Sequence, residues 1–196
     1  NGCDRSRGST GHSVPNAITF IQCVIGQNSN TGIDLSNPGG LRRFGGSVEN
    51  NGAGTANGHG ILIDHTETIG ASVAADIQGV YFEFNRGVAD IKLTHVNPNE
   101  NVTLNVRSCS FDCGGADVVT DRIAVEHISA KAVILNVSEC NFSELAGFSP
   151  SPAYKYISVF GGGSGARNVT TFGNFYQSAN SVPDFSKVKQ LPVSSS

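Results

Sequence analysis

Apolar and polar residues alternate with a period of two along most of this chain, in short runs that recur every 24 to 35 residues. The clearest runs are LNVRSCSF at 104–111 and LNVSECNF at 135–142. Looser copies are ITFIQCVI at 18–25, ADIQGVYF at 75–82, and the stretches around Phe44 and Phe172. Alternation at period two predicts strands with one buried face. Self-similarity at this spacing predicts a stacked, repetitive architecture. Within each copy the inward parity breaks once, after pairs such as Leu104 and Val106 and before pairs such as Cys109 and Phe111. The break aligns on Gln22, Gly46, Gly79, Ser108, Glu139 and Asn174, and a bend there favours residues that tolerate positive φ.

A second strand pattern follows each copy after a polar, glycine-rich segment of variable length. Its first inward column reads Ile33, Ile61, Ile91, Ile123 and Ile157. The next column reads Leu35, Ile63, Leu93, Val125 and Val159. One β-branched residue repeated five times suits a parallel ladder at about 4.8 Å spacing. No window carries a helical period. The fold class expected is therefore all-β, a solenoid of about six rungs over residues 18–177. Residues 1–17 read as a polar lead-in and residues 178–196 as a tail.

The alternating strand, bend residue, small residue and phenylalanine, best seen in NVTLNVRSCSF at 101–111, resemble the rung signature of right-handed parallel β-helices of the pectate-lyase-like superfamily. The resemblance covers roughly residues 16–177. It implies the fold and leaves the activity open, since that fold carries lyases, hydrolases, epimerases and non-catalytic viral spikes. NGHG at 57–60 is similar to the histidine motif of polygalacturonases, but their Asp-Asp pair occurs nowhere in this chain. The acidic cluster beside an arginine that pectate lyases need is also missing from the sequence.

Composition narrows the reading. Charged residues are only 15%, while 24 glycines and 18 asparagines give a polar, nearly neutral surface. A net charge of −3 offers no basic footprint for nucleic acid. No run of 18 apolar residues exists to span a membrane. The first residue is Asn1, with neither methionine nor an apolar leader, which reads as a mature fragment or a domain of something longer. Cys23, Cys109 and Cys140 share one column and are read as buried thiols, with a Cys109–Cys140 bridge the other possibility.

His65, His95 and His127 each stand four residues after the first inward isoleucine of their strand, with Asn37 and Gly161 in the outer rungs. Rings stacked about 5 Å apart do not converge on one ion, so the expectation is a neutral polar ladder and no metal or other cofactor. The outward face of the same strands carries Asp34, Asp64 and Glu126 at spacings that loosely fit an inverting glycosidase. Tyr81, Phe148, Tyr154, Tyr156 and Tyr176 are the exposed aromatic platforms expected for saccharide.

The function expected is a structural and receptor-binding module of a viral tailspike or fibre, on a virion appendage or otherwise extracellular, with host-surface polysaccharide as ligand. The resemblance also implies a homotrimer, and open solenoid ends without a capping helix lead us to expect the 183–196 tail to cross onto a neighbour. The alternatives are a polysaccharide lyase or glycoside hydrolase on the same scaffold, and a secreted adhesin fragment.

Overall fold

A computed structural model describes residues 18–52, 58–66, 73–113, 121–144 and 155–177. They form seventeen strands and no helix, in three parallel sheets. Sheet 1 holds β1 (Ile18–Ile21), β4 (Gly40–Phe44), β7 (Val73–Gln78), β10 (Val102–Arg107), β13 (Val133–Ser138) and β16 (Arg167–Phe172). Sheet 2 holds β2 (Val24–Gly26), β5 (Ser47–Glu49), β8 (Tyr81–Glu83), β11 (Ser110–Cys113), β14 (Asn141–Glu144) and β17 (Phe175–Gln177). Sheet 3 holds β3 (Ile33–Ser36), β6 (His59–His65), β9 (Ala89–His95), β12 (Asp121–His127) and β15 (Lys155–Phe160). The chain visits the sheets in turn, so every strand pairs with its counterpart one repeat away. The result is a parallel β-solenoid.

The solenoid makes about four turns, not six. Among the described residues, only the four inner strands of sheet 1 and of sheet 2 are paired on both sides. The first and last copies supply edge strands, β1 and β16, whose inward residues stay partly exposed.

Register follows the expected columns in sheet 3. Ile33, Ile61, Ile91, Ile123 and Ile157 pair in sequence, and none is more than 1% exposed. The bend column needs one correction. Pairing of Ile21 with Phe44 and of Ser138 with Phe172 places Gly45 and Gly173 at the bend, where Gly46 and Asn174 were expected. The true column is Gln22, Gly45, Gly79, Ser108, Glu139 and Gly173, all with φ between 50° and 65°. Gly46 occupies the slot of Cys109, and a Cβ there would meet the Cys23 carbonyl oxygen at 2.1 Å. Asn174 instead braces the preceding bend, its Oδ1 accepting from the Cys140 amide at 2.9 Å and its Nδ2 donating to the Val137 carbonyl at 3.0 Å.

Aromatic rings fill the interior behind sheet 2. Phe82, Phe111, Phe142 and Tyr176 stack with centroids 4.9, 4.9 and 5.2 Å apart, close to the strand repeat itself. Tyr156 leans against both Phe142 and Tyr176. Cys109 and Cys140 are free buried thiols, and Cys23 is a free thiol that is only half-buried. Arg43 intrudes on the apolar interior: its Nη2 donates to the Cys23 carbonyl at 2.5 Å and the Ser47 carbonyl at 3.0 Å, and its guanidinium lies 6.0 Å from the Phe20 ring centroid.

Polar ladders close the corners. Where sheet 2 turns into sheet 3, Asn28 Nδ2 donates to Asn51 Oδ1 at 2.7 Å, and Asn51 Nδ2 donates to Asn85 Oδ1 at 2.9 Å. Asn85 Nδ2 in turn donates to Asp90 Oδ1 at 2.8 Å, and Arg122 Nη1 lies 2.7 Å from Asp90 Oδ2. Asp90 and Arg122 are both fully buried. Buried amides and charges persist in such a place because their hydrogen bonds are made. No described helix is long and apolar enough to cross a membrane. The lead-in, the 183–196 tail, Phe148 and Tyr154 lie outside the described residues.

Candidate functional site

The outer face of sheet 2 collects the most perturbed exposed chemistry on the described surface. Strands β5, β8 and β11 pair in register, which stacks Glu49, Glu83 and Asp112 in one outward column on consecutive rungs. The neighbouring outward column is Ser47, Tyr81 and Ser110. Tyr81 is half-buried, and its hydroxyl donates to Asp112 Oδ2 at 3.2 Å. Ser47 Oγ donates to Glu49 Oε1 at 2.5 Å.

Of the three acids, the middle one, Glu83, feels burial and both of its neighbours. Burial pushes the Glu83 carboxyl up; the Tyr81 hydroxyl pulls it down, and the charges of Asp112 and Glu49 raise it further. The Tyr81 phenol is pushed well above its ordinary range, first by burial and then by Asp112 and Glu83, so it stays a neutral donor. The arrangement offers a half-exposed ring, hydrogen-bond acceptors at one-rung intervals and a carboxyl biased towards its protonated form. Perturbed groups of this kind concentrate at functional sites.

Sequence reasoning found Tyr81 but missed Glu49, Glu83 and Asp112. The signal was present: each directly follows the inward residue of its strand, Val48, Phe82 or Phe111. The one-residue misalignment at Gly46 broke that column in the second rung.

The acids expected in sheet 3 stand where parity put them. Asp34 and Asp64 are one rung and two residues apart, and Asp64 and Glu126 share a column with Thr94 between them. Lys92 Nζ lies 3.1 Å from Glu126 Oε2, an ion pair that already engages this carboxylate. One expected platform is corrected: Tyr156 is 0% exposed and its ring is not offered to solvent, while Tyr176 is half-buried at the end of the interior aromatic stack.

The histidine ladder is present and buried. His65, His95 and His127 pair in register, are at most 1% exposed, and have ring centroids 5.4 and 5.2 Å apart. His65 Nε2 lies 3.1 Å from Asn97 Nδ2, and His95 Nε2 lies 2.9 Å from the Glu100 carbonyl oxygen. His127 Nε2 lies 3.1 Å from the Gly165 carbonyl oxygen, and His127 and His95 meet through their Nδ1 atoms at 3.2 Å. No cluster of metal-ligating side chains occurs among the described residues.

Burial pulls His65 and His127 below the ordinary histidine range. It pulls His95 to about 4, with the neighbouring His65 and His127 adding to the effect. His59, separately buried at the start of β6, is also pulled to about 4 by burial and then by Lys92. A folded pKa below the unfolded one means the unfolded chain takes up protons first. Stability is therefore complete above the unfolded value near pH 6.5 and falls as pH drops towards about 4. The melting temperature should fall across that window, and His95→Gln should flatten the slope. A melting temperature that rises or holds between pH 7 and 4.5 would contradict a buried neutral ladder.

Comparison with protein-family models, curated proteins and solved structures finds no match for this chain.

Proposed function

We propose that this chain is a receptor-binding β-solenoid of a virion or other extracellular appendage, and that it recognises cell-surface polysaccharide along the outer face of sheet 2. The observation that carries the reading is Tyr81. It is half-exposed between rungs, its hydroxyl is fixed on Asp112, and carboxylates lie one rung apart to either side of Glu83. Saccharide sites pair an aromatic surface with convergent hydroxyl, amide and carboxylate partners. A repeating rung gives those partners a repeating spacing, which suits a polymer of repeating sugars. The resemblance to tailspike-type helices supplies the appendage part of the proposal.

Titration against a panel of bacterial and eukaryotic surface polysaccharides, read by calorimetry, tests it. Binding should be detected for at least one polymer. Tyr81→Ala should weaken it about tenfold or more, consistent with losing one aromatic hot spot, without lowering the melting temperature. Unchanged affinity in Tyr81→Ala would remove sheet 2 from the site.

A second reading is favoured by Glu83 alone. A carboxyl raised by burial, with the Asp112 carboxyl group one rung away, is the kind of pair a glycoside hydrolase uses as acid and partner. Release of reducing ends from the bound polymer, lost in Glu83→Gln, would establish it. Binding without release leaves a recognition module.

A further inference from the structure

The two ends of the solenoid carry the same signature, and the rungs between them do not. Register across sheet 1 aligns Ile21, Phe44, Gln78, Arg107, Ser138 and Phe172 in one outward column beside the bend. Register across sheet 2 aligns Val24, Ser47, Tyr81, Ser110, Asn141 and Phe175 on the other side of it. In the third to fifth copies both columns are polar apart from the ring of Tyr81. In the terminal copies they are apolar and open, with Ile21 65%, Val24 74%, Phe172 72% and Phe175 61% exposed.

The same four residues lie on or beside the outermost described strands of sheets 1 and 2. Among the described residues β1 and β16 each pair on one side only, as do β2 and β17. An edge strand offers a row of free N–H and C=O groups, a template for another parallel strand. A partner that satisfies such an edge must bring a strand in parallel register, with an apolar residue on each side of a bend. The opposite end of this same chain has that surface.

We propose that copies of this chain stack head to tail, the β16 and β17 edge of one on the β1 and β2 edge of the next. Continuing the register by one repeat lays Phe172 on Ile21 and Phe175 on Val24. Inside, it lays Val169 on Ile18 and Tyr176 on Ile25, four partly buried apolar residues that pack against the core. Gly173, at the shared bend, presents no side chain to the approaching edge. The contact is heterologous, so each added copy leaves the same two ends free. This inference is independent of the saccharide reading.

Two charged variants test it, one at each end: Ile21→Glu with Val24→Glu, and Phe172→Glu with Phe175→Glu. All four side chains point outward, so folding should be kept, as circular dichroism and melting would verify. Light scattering across a concentration series should show the unaltered chain growing in mass and each variant alone remaining a monomer. An equal mixture of the two variants should give a species of twice the monomer mass and nothing larger, because only one complementary pair of ends remains. Three results would each overturn the proposal: an unaltered chain that stays monomeric to its solubility limit, a single variant that still self-associates, or a discrete trimer insensitive to both variants. The last would assign assembly to a lateral surface.

Discussion

Ile91→Asp or Ile123→Asp is expected to leave no soluble folded protein. Each isoleucine is fully buried and pairs in register with an isoleucine above and below. An aspartate there loses the transfer free energy of the side chain, about 2 to 3 kcal/mol. It also places an uncompensated carboxyl in an apolar stack, which costs several kcal/mol more. In a solenoid each rung contacts only its neighbours, so a failed central rung separates the two halves of the stack. Expression followed by solubility and circular dichroism decides the matter. Soluble protein with unaltered melting from both variants would mean that the register of sheet 3 is wrong.

The second large effect lies at Arg122. Arg122→Met should destabilise the chain by about 3 to 5 kcal/mol, because it leaves the fully buried Asp90 without its cation. Burial already pushes the Asp90 carboxyl up, and Arg122 and Asn85 hold it back. Removing the arginine should drive Asp90 to take up a proton, so the variant should regain stability as pH is lowered through the acidic range. Adding Asp90→Asn should recover much of the loss, since both charges are then gone. Chemical denaturation of the two single variants and the double variant gives the coupling directly. Additive losses would show that the pair does not act as a unit.

How much of this was legible in the sequence depended on where parity holds. Sheet 3 was readable because Ile33, Ile61, Ile91, Ile123 and Ile157 keep one column through five strands, and His65, His95 and His127 keep one offset from it through the inner three. The bend was harder. Gly45 and Gly46 both suit positive φ and both adopt it, so composition could not choose between them. In the last copy Asn174 looked suited to the bend, while Gly173 takes it. Tyr156 was assigned outward because it precedes the inward Ile157. Tyr156 instead leans on Phe142 and Tyr176 of the interior aromatic stack. Asp90, Arg122 and Tyr156 occupy successive rungs of one column, and all are buried. An acid and a base aligned one repeat apart was the available hint that the column faces inward. The number of turns was overestimated because the first and last copies match the pattern in sequence yet form edges in space.

The acidic column of sheet 2 depended on the same register. Glu49, Glu83 and Asp112 are unremarkable as separate outward acids and become a site only when stacked beside Tyr81. Asp34, Asp64 and Glu126 were equally legible in sequence, but an ion pair with Lys92 already engages the last of them.

The central claim is that sheet 2, through Tyr81 and its carboxylates, is the saccharide face. The most direct measurement is a crystal structure with an oligosaccharide cut from the polymer that binds in solution. The account predicts a sugar ring against Tyr81, with its hydroxyls donating to Asp112, Glu83 or Glu49. Density along Asp34 and Asp64 on sheet 3, with sheet 2 bare, would contradict it.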